Sequence, residues 1–322
     1  MRAKVFISAL LLVVLELAGL GQGTNIVLKI SWVKQVRDRL SIDATVTVLG
    51  LNSGKEDDGD SHGGSRKNTI GLPMVAEILN GRAPAQQDAR AKLDPGGDPS
   101  KHVYGAWRLW FEHPPATGGT QCQTFSGTPP QICSHQSLEG ADSNPKHSFE
   151  IHPVFAVEGI DIARSSMELT ADNTSVKDTD NAFADYTGKN KILTIARTAT
   201  ALTLTSIMIQ DNYVRTHIRV TKARTTTTRL KTGAVDGGFV IADVISSSDK
   251  DTILKKDARV FYYKDSIPGD ALDKAKKGDE LDVLAMPRLN LTEVLALSDG
   301  KTFIKLPAVP FEFVIVALLK AQ

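Results

Sequence analysis

A glutamate and a histidine two residues apart, Glu150 and His152, interrupt the apolar run "SFEIHPVFAVEGI". On a strand that spacing sends both side chains to one face. Other stretches carry the same residue types: Asp58, Asp60 and His62 in "DDGDSH", Glu77 in "MVAEIL", and Glu112 with His113 in "FEHP". Carboxylates and imidazoles gathered at strand ends have the donor chemistry for a divalent metal, because Asp, Glu and neutral His all ligate zinc and manganese accepts the same set. A cation held by Asp58, Asp60, His62, Glu77, Glu150 and His152 would acidify a water, as phosphodiesterases and nucleases require. The same residues also suit hydrogen-bonded scaffolding. Asp58 and Asp60 flank Gly59, where Asx side chains cap turns. His113 and His152 precede prolines, which hold them extended, and a buried Glu77 needs a partner such as a histidine. Both readings stand at this stage.

A second set of residues points to ligand binding. In "YVRTHIRVTKAR", Arg215, His217 and Arg219 share a strand face, and Lys222, Arg224, Arg229 and Lys231 extend the positive stretch. Such a strip suits phosphates or an acidic polysaccharide, although strips of this kind are commonly solvated faces. Arg108 beside Trp110, followed by Glu112 and His113, is a thin version of the basic groove with aromatics used by single-strand binders. Net charge gives no global support for a polyanion, since 38 basic residues face 37 acidic ones. The sequence holds no GxGxxG or Walker loop, no GxSxG elbow, no HExxH and no CxxC.

The elements that must position these residues read mainly as strands. "ATVTVLGL", "GLPMVAEIL", "VYGAWRLWFEHPP" and "HSFEIHPVFAVEGIDI" fill the first half. In the third of these, Trp107, Leu109 and Phe111 point one way and Arg108, Trp110 and Glu112 the other. "ALTLTSIMIQ", "YVRTHIRVTKA", "GGFVIADVI", "ARVFYY", "DELDVLAMP" and "FEFVIVALL" fill the second half, separated by turn clusters. Short helices are expected in "RAPAQQDARAKL", near Asn181–Tyr186, in "PGDALDKAKK" and in "LNLTEVLALS". Strands without alternating helices argue for barrels or sandwiches rather than a parallel α/β sheet. The fold class expected is therefore mainly β, with two β-rich domains at 24–162 and 192–322 and a polar connection over 163–191. The second domain is a β-barrel or sandwich with one or two short helices, and each half could be a variant of one small barrel.

The run "DGDSH", "PMVAEILN", "GAWRLWFEHP" and "NPKHSFEIHPV" resembles an OB-fold-like domain of exported bacterial proteins. The matching positions are Asp58, Gly59, Asp60 and His62 (DGD-x-H), Ala76 and Glu77 (A-E-[IF]), and Glu150 to Val154 (E-[IL]-H-P-V). The resemblance covers roughly Ala44 to Ile162. It implies a small OB-like barrel and brings no assigned reaction. One departure is "HGGSRKNTIGL", which is short and irregular where the resemblance calls for a full strand.

The N-terminal 23 residues, "MRAKVFISALLLVVLELAGLGQG", read as a cleaved signal peptide: a basic start, an apolar stretch and small residues for cleavage. No later segment is apolar over the roughly 20 residues a membrane helix needs. Export bears on Cys122 and Cys133, which sit in a Gly/Pro/Ser/Thr-rich loop and are expected to form a disulfide. A zinc site there would need His113 and His135 at a spacing that fits no standard pattern. The functional expectation is a secreted or periplasmic, envelope-associated binding protein with a small-molecule, saccharide or polyanion ligand and no enzymatic activity. The alternatives are a metal-dependent hydrolase built on the Asp/Glu/His set and an oligonucleotide-binding OB module.

Overall fold

The computed structural model describes residues 23–52, 59–115, 118–123, 143–166, 176–188, 193–209 and 211–319. Residues 1–22 of the segment expected to be a signal peptide, Asp58 and Cys133 lie outside these residues, and the expected disulfide with them. In chain order the first half comprises β1 (Thr24–Lys29), α1 (Ile30–Val36), β2 (Ser41–Leu51), β3 (Ser61–Asn68), β4 (Met74–Ile78), α2 (Gln87–Leu93), β5 (Ser100–His113), β6 (Thr120–Cys122), β7 (His147–Val157) and β8 (Ile160–Asp161). Then come α3 (Ala163–Ser166), β9 (Val176–Asp178) and α4 (Thr179–Thr187) in the stretch expected to connect the halves. The second half comprises β10 (Leu193–Arg197), β11 (Ala201–Ser206), β12 (Tyr213–Arg229), β13 (Val235–Ile245), β14 (Ile253–Tyr263), α5 (Ile267–Leu272), β15 (Glu280–Leu289), α6 (Leu291–Leu297), β16 (Phe303–Leu306) and β17 (Phe311–Leu318).

Two five-stranded barrels result. The first runs β4-β3-β2-β5-β7 and closes by pairing β4 with β7; the second runs β14-β13-β12-β15-β17 and closes by pairing β14 with β17. Numbering each barrel's own strands one to five gives the cyclic order 1-2-3-5-4 in both, with the third and fifth strands parallel. That is the strand order of an OB barrel, and in both a short helix (α2 or α5) joins the third strand to the fourth. The second domain is thus a barrel and not a sandwich. A third, open sheet in the order β16-β10-β11-β1-β6 takes strands from both halves, with β1 antiparallel to β11. No helix among the described residues is long and apolar enough to cross a membrane.

Local sequence explains most of these elements. β2 keeps Ala44, Val46 and Val48 inward against outward Asp43, Thr45 and Thr47, the alternation of a strand with one wet face. α4 begins where Asp178 accepts from the backbone N–H of Asn181, and α6 where Asn290 accepts from Glu293. The irregular "HGGSRKN" nevertheless forms a full strand, β3, because β2 and β4 flank it on both sides. Gly63 leaves room there: a Cβ would lie 2.9 Å from Leu93 Cδ2, so the tip of Leu93 would have to shift to admit a side chain.

The β5 pattern departs from expectation. Trp107, Leu109 and Phe111 are buried on one face, but Arg108 and Trp110 on the other are buried as well. β5 packs against β15, and Arg108 on this face reaches the second half, so the two barrels meet here. Leu40, Ala106 and Phe155 of the first barrel there share an apolar cluster with Tyr213, Phe261, Met286 and Val314 of the second.

Candidate functional site

Inside this contact lies a buried network of polar side chains. Arg108 extends from β5 to donate to the backbone oxygens of Pro287 at 3.1 Å and Asp211 at 2.8 Å, both in the second half. Its remaining nitrogen pairs with Glu150 at 2.7 Å and Glu112 at 2.6 Å. Arg108 and Glu150 face each other across β5 and β7, so the pairing is set by sheet register. Burial opposes ionisation of Glu150, but Arg108 together with His147 and His152 outweighs it and holds the carboxyl well below its ordinary range. The other oxygen of Glu150 lies 3.0 Å from His147 Nε2, while His147 Nδ1 faces the Pro145 carbonyl at 2.6 Å.

His152 continues the network. Its Nδ1 lies 3.2 Å from Glu77 and 3.4 Å from Glu150, and its Nε2 lies 2.7 Å from the Tyr213 hydroxyl. Tyr213, the first residue of β12, donates in turn to Asp60. Burial would strip the imidazolium of its proton, but Glu77 first, then Asp60 and Glu150, raise its pKa to about 10. Glu77 is likewise buried, yet the charges of His152 and His62 lower it to about 2. Asp60 is pushed up by burial, which outweighs the opposing pull of His152 and Tyr213. His62 Nε2 lies 2.6 Å from Glu77, and its Nδ1 lies 3.0 Å from the Asn52 amide. The β3–β4 register makes His62 and Glu77 direct neighbours. The motifs "DGDSH", "AE" and "EIHPV" are thus three strands' contributions to one network.

The second barrel supplies its own counterpart. Arg288 reaches from β15 to the backbone oxygens of Trp107 at 3.1 Å, Leu40 at 3.0 Å and Arg39 at 3.0 Å. It pairs with Glu312 on β17 at 2.7 Å, the residue opposite it in register. Its guanidinium also stacks 3.8 Å from the Trp107 ring centroid. Ser41, the first residue of β2, donates to Asp236 as Tyr213 does to Asp60. Arg108 and Arg288, Glu150 and Glu312, and the two hydroxyl–aspartate contacts relate the barrels as a two-fold would. A sequence signal for this was present in "RL" followed by "FE": Arg108-Leu109 with Phe149-Glu150, and Arg288-Leu289 with Phe311-Glu312. Arg288, Glu312, Ser41, Asp236 and Tyr213 were not among the site residues expected from the sequence.

Of the six residues proposed as metal ligands, Asp60, His62, Glu77, Glu150 and His152 fall in the network and Asp58 lies outside the described residues. Asp60, Glu77 and His152 offer one donor atom each within 4.8 Å of one another. The ligand-binding set divides. Arg108 and Trp110 are fully buried and unavailable to a surface ligand, Arg108 because it reaches into the second half and Trp110 because it packs on Tyr186 of α4. Glu112 lies beside Arg108, and His113 sits at the rim, its ring 5.2 Å from that of His147. Arg215 is exposed on β12. His217 lies 2.9 Å from Asp282 and 3.1 Å from Glu280, and Arg219 donates to Glu280 at 2.6 Å, so β15 offsets this strip with acid. Cys122 is buried in β6. No family model matches the chain, and no curated protein is similar to it.

Proposed function

We infer that this protein is a non-enzymatic binding module in which two OB-type barrels are fixed in one arrangement and ligands meet their outer faces and loops. The observation that carries this is the direction of the polar cluster. Arg108, Glu150, His152 and Asp60, each at most 3% exposed, turn inward on one another and on the second barrel. A hydrolase needs reactive groups that a substrate can touch and a coordination position open to water. These groups offer neither, so they serve as the joint that sets where the two barrels' surfaces lie.

The basic strip on β12 is matched by Glu280 and Asp282, and the whole chain carries a formal charge of only +1. This favours an uncharged or mixed-charge ligand, such as a saccharide, over a polyanion. Export by the N-terminal segment, and with it a place in the bacterial envelope, belongs to the same proposal. The test pairs two assays on the mature chain. Neutral oligosaccharides and a single-stranded oligonucleotide are titrated at low and high salt, and a simple phosphodiester is incubated with the protein and Zn²⁺ or Mn²⁺. Saccharide binding that is indifferent to salt, with no diester turnover, is the expected result. Turnover that His152→Gln abolishes, or oligonucleotide affinity falling steeply with salt, contradicts the proposal.

A further inference from the structure

The two barrels act as controls for each other. The Arg–Glu pair and the hydroxyl–aspartate contact occur in both, so they account for the joint wherever it is made. His152, Glu77 and His62 occur in only one. Two residues after Glu312, where His152 would fall, stands Val314. Where His62 and Glu77 pair on β3 and β4, the corresponding strands β13 and β14 pair Gly238 with Tyr262 and Gly237 with Tyr263. One side of the joint therefore does without this carboxylate and these imidazoles. Their presence on the other side asks for a separate reason.

We propose that Asp60, Glu77 and His152 bind one divalent cation of the zinc or manganese class, as a closed structural site within the joint. This rests on the joint reading and deepens it. Two carboxylates and an imidazole are donors that such ions accept. The three donor atoms lie within 4.8 Å of one another. Ligand atoms around a tetrahedral ion with bonds of about 2.0–2.2 Å stand roughly 3.3–3.6 Å apart, so the three donors draw together by up to about an ångström on binding.

The outer contacts of the set point the same way. The second oxygen of Asp60 accepts from the backbone N–H of Asn80 at 2.9 Å. The second oxygen of Glu77 is held by His62 at 2.6 Å. Metal ligands are oriented by such outer partners. Tyr213 O lies 2.7 Å from His152 Nε2, so the second barrel meets the site directly. With Asp60 and His152 fully buried and Glu77 5% exposed, a cation here has no open position for substrate.

The experiment uses the full mature chain. Metal content is measured after purification, then the protein is stripped with chelator and its melting is followed against Zn²⁺, Mn²⁺, Ca²⁺ and Mg²⁺. The expected result is one ion per chain and a rise in melting temperature of about 5 °C or more at a hundredfold excess over the dissociation constant. Glu77→Gln is expected to lose the rise, and His217→Ala, at the surface acid–base cluster, to keep it. Should Glu77→Gln fail to fold, Co²⁺ added to the stripped wild-type chain gives a second reading, through the visible absorption of a cobalt ion bound to nitrogen and oxygen. No bound ion and no rise in the folded wild-type protein, or a rise that persists in Glu77→Gln, overturns the proposal. Either of those results leaves the joint reading intact, since that reading is tested by coupling between the barrels and not by metal.

Discussion

The His152 ring presents one nitrogen to each barrel: Nδ1 to Glu77 and Glu150 of its own, Nε2 to Tyr213 of the other. The pH dependence of stability in chelator-treated protein follows from that placement. His152 has a folded pKa of about 10 against 6.5 ordinarily, so its contribution is complete below 6.5 and is lost as the pH rises toward 10. Glu77, at about 2 against 4.5, contributes above 4.5 and loses that contribution as the pH falls toward 2. Asp60, raised by burial, works against folding above its ordinary 3.8 and so softens the acid loss. Urea midpoints should therefore fall between pH 6.5 and 10, more steeply in wild type than in His152→Gln. Parallel profiles for the two proteins contradict the imidazolium assignment. At Glu150 the expectation is larger. Glu150→Gln leaves buried Arg108 with Glu112 as its remaining carboxylate partner and should cost about 3 kcal/mol, while Arg108→Met with Glu150→Leu should recover much of that loss.

At the scale of elements, packing against neighbours decides what local pattern leaves open. Gly63 allows Leu93 of α2 to rest on β3, and a Cβ would enter that contact at 2.9 Å. Gly63→Ala should cost about 1–3 kcal/mol by overpacking, and Leu93→Ala in the same chain should relieve part of it; additive losses in urea unfolding would contradict this contact. The same neighbour dependence explains what the sequence could and could not reveal. "ATVTVLGL" and "FEFVIVALL" were legible as strands because alternation or a short β-branched apolar run survives without context, and the Asp178 and Asn290 caps mark α4 and α6. β3 was not legible, since "HGGSRKN" has little β propensity and becomes a strand only between β2 and β4. The two-faced pattern of β5 was legible as alternation, but the sequence does not show that Arg108 meets the second half at Pro287 and Asp211 or that Trp110 packs on Tyr186. Within the site, the residue types that converge were visible in their motifs. Their partners Tyr213, 153 residues from Asp60, and Pro287, 179 from Arg108, were not.

Across the whole molecule, the matching Arg–Glu pairs make each barrel's fourth strand grip the other's backbone: Arg108 on Pro287 and Asp211, Arg288 on Trp107 and Arg39. The third sheet adds a second link, with β1 of the first half paired to β11 of the second. The barrels should consequently unfold together. A single calorimetric transition is expected for wild type, and Arg108→Met with Arg288→Met should broaden or split it. Two transitions in wild type would mean that the contact contributes little. The most direct test of the joint is a double-mutant cycle across it, with Asp60→Asn in the first barrel, Tyr213→Phe in the second, and stability read from urea unfolding. If Asp60, Tyr213 and His152 join the barrels, the two changes couple by about 1 kcal/mol or more. Losses that add to within about 0.3–0.5 kcal/mol would contradict that claim.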